Sequence, residues 1–155
     1  MMQIKPGNLD DARVIALLNT HIGRARAETA RGSAHALDHD ALRSPDISFW
    51  TLWAGDELLS VGALKRLAPD HCEVKSMYTA ESARRTGAGT ALLRHLIQTA
   101  KSFGATRLSL ETGSWSYFAP ARSFYAHHGF IHCAPFGDYV ADRNSVFMTL
   151  DLENQ

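Results

Sequence analysis

The sequence predicts a mixed α/β fold, a central and mostly antiparallel sheet flanked by helices. Three observations carry that expectation. Three strand patterns follow one another between residues 47 and 79, parted only by the turn pairs Gly55-Asp56 and Pro69-Asp70, so they read as consecutive hairpins. The most periodic helix of the chain, Thr90 to Phe103, comes soon after them. Beyond it, strand and helix patterns alternate to the C-terminus, as in a sheet with helices packed on it.

The elements follow in order. Gln3-Ile4-Lys5 is a short extended piece stopped by Pro6-Gly7. Asn8 or Asp10 can cap a helix whose apolar face is Ala12, Ile15, Ala16, Leu18, Asn19 and Ile22. Residues 24–35 are polar and rich in Ala, Gly and Ser, a loop or frayed helix. Asp38 begins a short helical pattern with Ala41 and Leu42 that Pro45 ends. Strands are expected at Ile47–Ala54, Leu58–Leu67 and Cys72–Thr79, the last with Cys72, Val74, Ser76 and Tyr78 on one side. In the helix Thr90–Phe103, Ala91, Leu92, Leu93, Leu96, Ile97 and Ala100 form one face, and Gly104 ends it. A strand at Arg107–Glu111, a helix at Ala119–His128 and strands at Phe130–Cys133 and Val146–Asp151 complete the chain.

Composition narrows the function. The chain has 155 residues, 45% hydrophobic and 21% charged, so one globular domain over 1–155 is expected. Sixteen basic residues balance sixteen acidic ones. Nucleic acid and anionic membrane both call for a basic surplus, so neither is expected as the main partner. No apolar run approaches the roughly 20 residues that cross a bilayer. The start, Met1-Met2-Gln3-Ile4-Lys5-Pro6, lacks the apolar stretch of a signal peptide. Two cysteines, Cys72 and Cys133, suggest a reducing cytoplasm rather than a disulfide framework. Eight histidines are scattered without metal-ligand spacing, so no metal is expected.

The most informative segment is Arg84-Arg85-Thr86-Gly87-Ala88-Gly89-Thr90, between a strand and the strongest helix. Glycines at 87 and 89 let backbone N–H groups approach a ligand closely. The helix brings the positive end of its dipole to the same place, and two arginines add full charge. Such a segment suits a pyrophosphate; a solvated helix start without a ligand is the plainer alternative. No Gly-Lys-Ser/Thr follows, so it is not a Walker loop, and the third glycine of a dinucleotide fingerprint is missing.

Arg84-x-x-Gly87-x-Gly89, after a strand and before a long helix, resembles the coenzyme A pyrophosphate motif of the GNAT acetyltransferases. Three more segments match in order: Glu73-Val74-Lys75-Ser76-Met77-Tyr78-Thr79 as the family's fourth strand, Leu110-Glu111-Thr112-Gly113 at the fifth, and Ala121-x-x-x-Tyr125-x-x-x-Gly129-Phe130 as its closing helix and strand. The resemblance spans residues 1–151, with its specific motifs in 73–130. Leu110-Glu111-Thr112-Gly113 and the tail Pro135-Phe136-Gly137-Asp138-Tyr139 resemble a branch of small bacterial members. The GNAT fold is implied, with the sheet splayed between the fourth and fifth strands. So is acetyl-CoA as co-substrate, held by Met77, Tyr78, Thr79, Arg84, Arg85, Thr86, Gly87, Ala88, Gly89 and Thr90. A strand bulge near Met77 is implied too, turning an N–H toward the thioester carbonyl.

Acetyl transfer to an amine requires the amine to lose a proton and the departing thiolate to gain one. The resemblance assigns the base to Glu73, fourteen positions before Gly87. A solvent-facing or Arg-paired strand glutamate is the bland reading. Glu111, at the end of the fifth strand, competes as base, substrate anchor or structural partner. Tyr125 matches the family tyrosine that protonates the sulfur, although a core aromatic beside Phe124 fits as well. The family's asparagine before the Ala-x-x-x-Tyr segment is replaced here by Phe118, so its contact is lost or taken over by Ser114 or Ser116. The acceptor is expected to be a primary amine of a small molecule or peptide, met by His35, Asp38 and Glu111, with the arginines at 24, 26 and 31 upstream. Homodimer formation stays open. Two other readings compete: a non-catalytic coenzyme A-binding or sensing module on the same scaffold, and a nucleotide-binding protein that uses the loop alone. Glu73 and Tyr125 favour the enzyme.

Overall fold

The computed structural model describes residues 1–27 and 39–153, the side chain of Arg26 excepted. Its strands are β1 (Met2–Pro6), β2 (Ile47–Ala54), β3 (Glu57–Ala68), β4 (His71–Thr79), β5 (Arg107–Gly113), β6 (Ile131–His132) and β7 (Ser145–Asp151). Its helices are α1 (Ala12–Ala27), α2 (Ala88–Ser102) and α3 (Ala119–His127), with single 3-10 turns at Ala41–Arg43, Glu81–Ala83 and Ser116–Phe118.

The strands form one sheet in the order β1-β2-β3-β4-β5-β7-β6. Every neighbouring pair is antiparallel except β4 and β5. That parallel pairing is brief: His71–Glu73 lie opposite Arg107–Ser109, and the two strands part from Val74 and Leu110 onward. β5 stays paired with β7 as far as Gly113, so the separation opens a wedge within an otherwise continuous sheet.

Helices cover the two faces unequally. On one face Leu93, Leu96 and Ala100 of α2 pack with Tyr125 of α3 against Leu108 and Leu150. Leu92, Leu93 and Leu96 are fully buried, each contributing about 2 kcal/mol of apolar burial. On the other face Val14 and Leu18 of α1 pack with Phe49, Trp53, Val61 and Tyr78.

Several details differ from the sequence expectation. α1 buries Val14, Leu18 and Ile22, whereas Ala12, Ala16 and Asn19 are exposed. The stripe is turned because larger β-branched and leucine side chains gain more from burial than Ala or Asn. Pro6 belongs to β1 rather than stopping it, which an edge strand tolerates. α2 starts at Ala88, two residues before Thr90, with Gly87 as its cap. The last hairpin is shorter than Phe130–Cys133, because Phe130 N–H closes α3 by donating to the Tyr125 carbonyl. The helical pattern beyond Asp38 appears, within the described residues, as the single turn Ala41–Arg43.

The largest difference is in β4. Ser76 has φ +52°, and the β3–β4 register jumps from Ala63↔Lys75 to Val61↔Tyr78. Ser76 and Met77 therefore bulge opposite Gly62. The alternation expected through Ser76 and Tyr78 ends at Val74, and Tyr78 joins the α1 face while Cys72 and Val74 lie under α2. A Cβ on Gly62 would stand 3.1 Å from Met77 Sδ and 3.2 Å from Leu96 Cδ1, so glycine lets α2 and Met77 close over the bulge.

Candidate active site

A cleft of about 700 Å³ fills the wedge between β4 and β5. Val74 and Leu110 border it where the strands part, His21 and Ala25 of α1 from one face, and Phe124 and Tyr125 of α3 from the other.

Arg84, Arg85, Gly87, Gly89 and Thr90 border the cleft at the start of α2. Gly87 has φ +88°, and a Cβ there would meet open space, so backbone conformation rather than room calls for glycine. Gly89 lies close under β4, where a Cβ would stand 3.2 Å from Thr79 Oγ1. The first amides of a helix have no carbonyl partner within it, and they carry the positive end of its dipole. The Arg84 guanidinium lies 5.6 Å from the Tyr78 ring centroid, and the His21 ring 5.0 Å from the same ring. Met77, Tyr78 and Thr79 also border the cleft. Thr86 and Ala88, grouped with them by the sequence, do not line it. The Thr86 hydroxyl donates to the Ala83 carbonyl, and Ala88 is packed with Leu52, Leu59 and Ala83.

Glu73 and Glu111 share one face of the sheet. Glu73 pairs with Ser109 in register, and Glu111 follows Ser109 by two residues. Glu111 borders the cleft; Glu73 lies behind it, 2% exposed. The Tyr139 hydroxyl donates to Glu73 Oε2 at 2.7 Å and accepts from Lys75 Nζ at 2.8 Å. Lys75 Nζ is 3.4 Å from the same carboxylate oxygen and borders the cleft. Burial and the negative charges of Glu73 and Glu111 push the Tyr139 phenol well above its ordinary range, so it stays protonated. Sequence reasoning gave Tyr139 and Lys75 no role. The only available signal was Tyr139 in an aromatic tail, and its partner lies 66 positions away.

Tyr125 is 7% exposed and borders the cleft on the α2–α3 face. Burial raises its phenol pKa. Phe118 lines the cleft and presses on β5 so closely that a Cβ at Gly113 would overlap its ring. Neither Ser114 nor Ser116 borders the cleft, and the Ser114 hydroxyl donates to the Arg143 carbonyl. Asn144 and Tyr117 border it instead. Arg122 ties α3 to the end of β5 by donating to the carbonyls of Gly113 and Trp115.

His35 and Asp38 lie outside the described residues. α1 supplies His21, whose burial lowers its pKa to about 4 and keeps the ring neutral. Among the described residues no group of three His, Cys, Asp or Glu is placed to hold a metal, and no helix is long and apolar enough to cross a membrane.

Comparison with known proteins bears on this geometry. The Acetyltransferase (GNAT) family matches residues 15–130. A Bacillus subtilis (strain 168) protein named as the uncharacterized N-acetyltransferase YsnE is 46% identical, over 97% of this chain and 100% of its own. The Escherichia coli (strain K12) protein named as the uncharacterized N-acetyltransferase YedL is 41% identical, over 98% of this chain and 96% of its own. Among solved structures, the PaiA N-acetyltransferase of Thermoplasma acidophilum in complex with coenzyme A superposes with a TM-score of 0.76 at 19% identity, covering 97% of this chain and 99% of that one.

Proposed function

This chain belongs to the GNAT acetyltransferase family, and on that premise we propose that it transfers acetyl from acetyl-CoA to a primary amine of a small molecule or peptide, by direct attack within a ternary complex. The observation that carries the proposal is a single cleft joining an anion-binding helix start to a carboxylate wall through the β4–β5 wedge.

The residues fit acetyl-CoA. Left-handed Gly87, the amides opening α2, and Arg84 and Arg85 suit its pyrophosphate. Beyond Glu73 the β4 edge no longer pairs with β5, so its backbone can serve the pantetheine arm as a neighbouring strand would. The bulge at Ser76 and Met77 turns the main chain within that edge. When bound, acetyl-CoA supplies the acetyl group as an activated thioester.

The protein's own part is proton handling and positioning. An alkyl ammonium, with a pKa of about 10.4, must be deprotonated before it attacks. Glu111 meets the ammonium at the cleft wall, and Glu73 behind it takes the proton through a water. Tyr125 donates a proton to the departing sulfur; its buried phenol is held in the protonated form a donor requires. The unbridged Cys72 and Cys133 support a reducing, cytoplasmic setting.

The test is release of free thiol from acetyl-CoA across a panel of amino acids, polyamines and arylalkylamines. Amine-dependent thiol release is expected. Tight acetyl-CoA binding with no thiol released by any amine would favour a coenzyme A-sensing module instead.

A further inference from the structure

The Tyr139 hydroxyl bonds both members of the loose Lys75–Glu73 ion pair. It donates to Glu73 Oε2 at 2.7 Å and accepts from Lys75 Nζ at 2.8 Å, while Lys75 and that oxygen remain 3.4 Å apart. A direct charge-assisted contact between ammonium and carboxylate closes to about 2.7–2.9 Å. The Lys75 and Glu73 side chains are only 10% and 3% exposed, so water does little to keep them apart. Lys75 lies two residues along β4 from Glu73, on the same face. The ring reaches this position from the β6–β7 connection and is held by packing on Phe136 and Phe147.

We propose that Tyr139 is a positioning residue: its hydroxyl acts as a spacer that keeps the Lys75–Glu73 ion pair at 3.4 Å from tightening into a hydrogen-bonded contact and so keeps the carboxylate available for proton transfer. The inference rests on the reading of Glu73 as the base. A buried carboxylate locked onto an ammonium has its lone pairs engaged and its charge neutralised, and it accepts a proton from an amine poorly. A phenol suits the spacer task because it donates and accepts at once. Its raised pKa, set by burial and by Glu73 and Glu111, keeps the donating proton in place across the working pH range. Phenylalanine at 139 keeps the ring contacts and removes only the spacer atom, which lets Lys75 advance.

The test uses the full chain with acetyl-CoA and the fastest acceptor from the amine panel. Tyr139→Phe is expected to lower kcat about ten- to a hundredfold, the range set by one hydrogen bond to a charged group. Its acetyl-CoA Kd should stay within about twofold, because the hydroxyl bonds Glu73 and Lys75 and Tyr139 does not border the cleft. The decisive arm is Tyr139→Phe with Lys75→Met, which removes the intruding charge. It should recover kcat at least about fivefold over Tyr139→Phe alone, whereas a hydroxyl needed only for packing would leave the double variant no better. Glu73→Gln should lose more, and adding Tyr139→Phe to it should cost nothing further. If Tyr139→Phe is impaired and Lys75→Met does not restore it, or if Tyr139→Phe matches wild type while Glu73→Gln is impaired, the spacer is wrong and the base assignment stands. If Glu73→Gln itself matches wild type, the base assignment fails and takes the spacer with it. If Tyr139→Phe melts early, Tyr139→3-fluorotyrosine serves instead. It keeps the hydroxyl and should retain kcat, and a large loss from it in folded protein would count against the spacer.

Discussion

At the start of α2 the groups bordering the cleft are main chain with left-handed φ angles at Arg85 and Gly87, and two arginines, all within seven consecutive residues. Across the cleft, Lys75 and Glu111 at the wall and Glu73 and Tyr139 behind it are side chains from two strands and a connection, with 64 to 66 positions between Tyr139 and its two partners. On the proposed function the loop side would bind through backbone geometry, so most side-chain changes there should matter little and changes of φ should matter greatly. The wall works through single atoms, so even an isosteric substitution should be felt.

The largest expected effects fall on the side chains to which proton transfer is assigned by the proposed function. Glu73→Gln keeps shape but cannot accept a proton, so turnover at neutral pH should drop roughly 10²–10⁴-fold. It should partly recover at high pH, where more of the amine is already neutral. Glu111→Gln should instead raise the acceptor KM. A pH–rate series on both variants checks this, and recovery confined to Glu111→Gln would exchange their roles. Tyr125→Phe keeps the ring in the core and should cost turnover on a similar scale, roughly 10²–10⁴-fold, with acetyl-CoA affinity held. Equal turnover would mean that water protonates the sulfur.

The loop side predicts the opposite split. Gly87→Val forces a β-branched residue to φ +88°, a strain of about 1–3 kcal/mol, and should weaken acetyl-CoA binding by roughly ten- to a hundredfold in calorimetry. Unchanged affinity would remove the pyrophosphate assignment. Arg84→Ala removes a charge but no backbone geometry and should weaken binding only about two- to fivefold, the loss shrinking in high salt. The smallest effect concerns stability. The His21 pKa lies near 4 in the fold, below its ordinary 6.5, so the unfolded chain takes up the proton first as pH falls. Stability should be full above pH 6.5 and decline toward pH 4. His21→Phe should make the fall in Tm over that window shallower, leaving the weaker contributions of His71, His95 and His128, whose pKa values are also lowered.

The same contrast explains how much was legible in the sequence. The order of strands and helices was readable because hairpin turns and the α2 stripe are local patterns. The glycine loop was readable as the entry to α2 because its left-handed turn at Gly87 and the close approach at Gly89 lie in contiguous residues. The face buried by α1 was misjudged because Ala12 and Ala16 fit the period as well as Val14 does, and only packing weighs their size. The alternation of β4 failed at Ser76 because nothing local to that residue marks a bulge; the jump shows only against β3. Tyr139 was silent because a tyrosine in a loop means nothing until the fold lays it on Glu73.

The bulge also gives β4 a count. The strand carries one extra residue there, Ser76 and Met77 standing opposite Gly62, so deletion and substitution at this place are different injuries. Replacing Ser76 by asparagine, which tolerates a left-handed backbone, leaves the count intact. Deleting it restores the plain two-residue period with Met77 opposite Gly62 and Tyr78 opposite Val61, each on the face it already holds, but it removes the turn that the bulge puts into the main chain of β4. Tyr78 would keep the side of the sheet on which it meets His21 and Arg84, and the loss would fall on the β4 edge facing the cleft. Lineages of this chain should therefore vary in which residue stands at 76 far more readily than in how many residues separate Glu73 from Gly87.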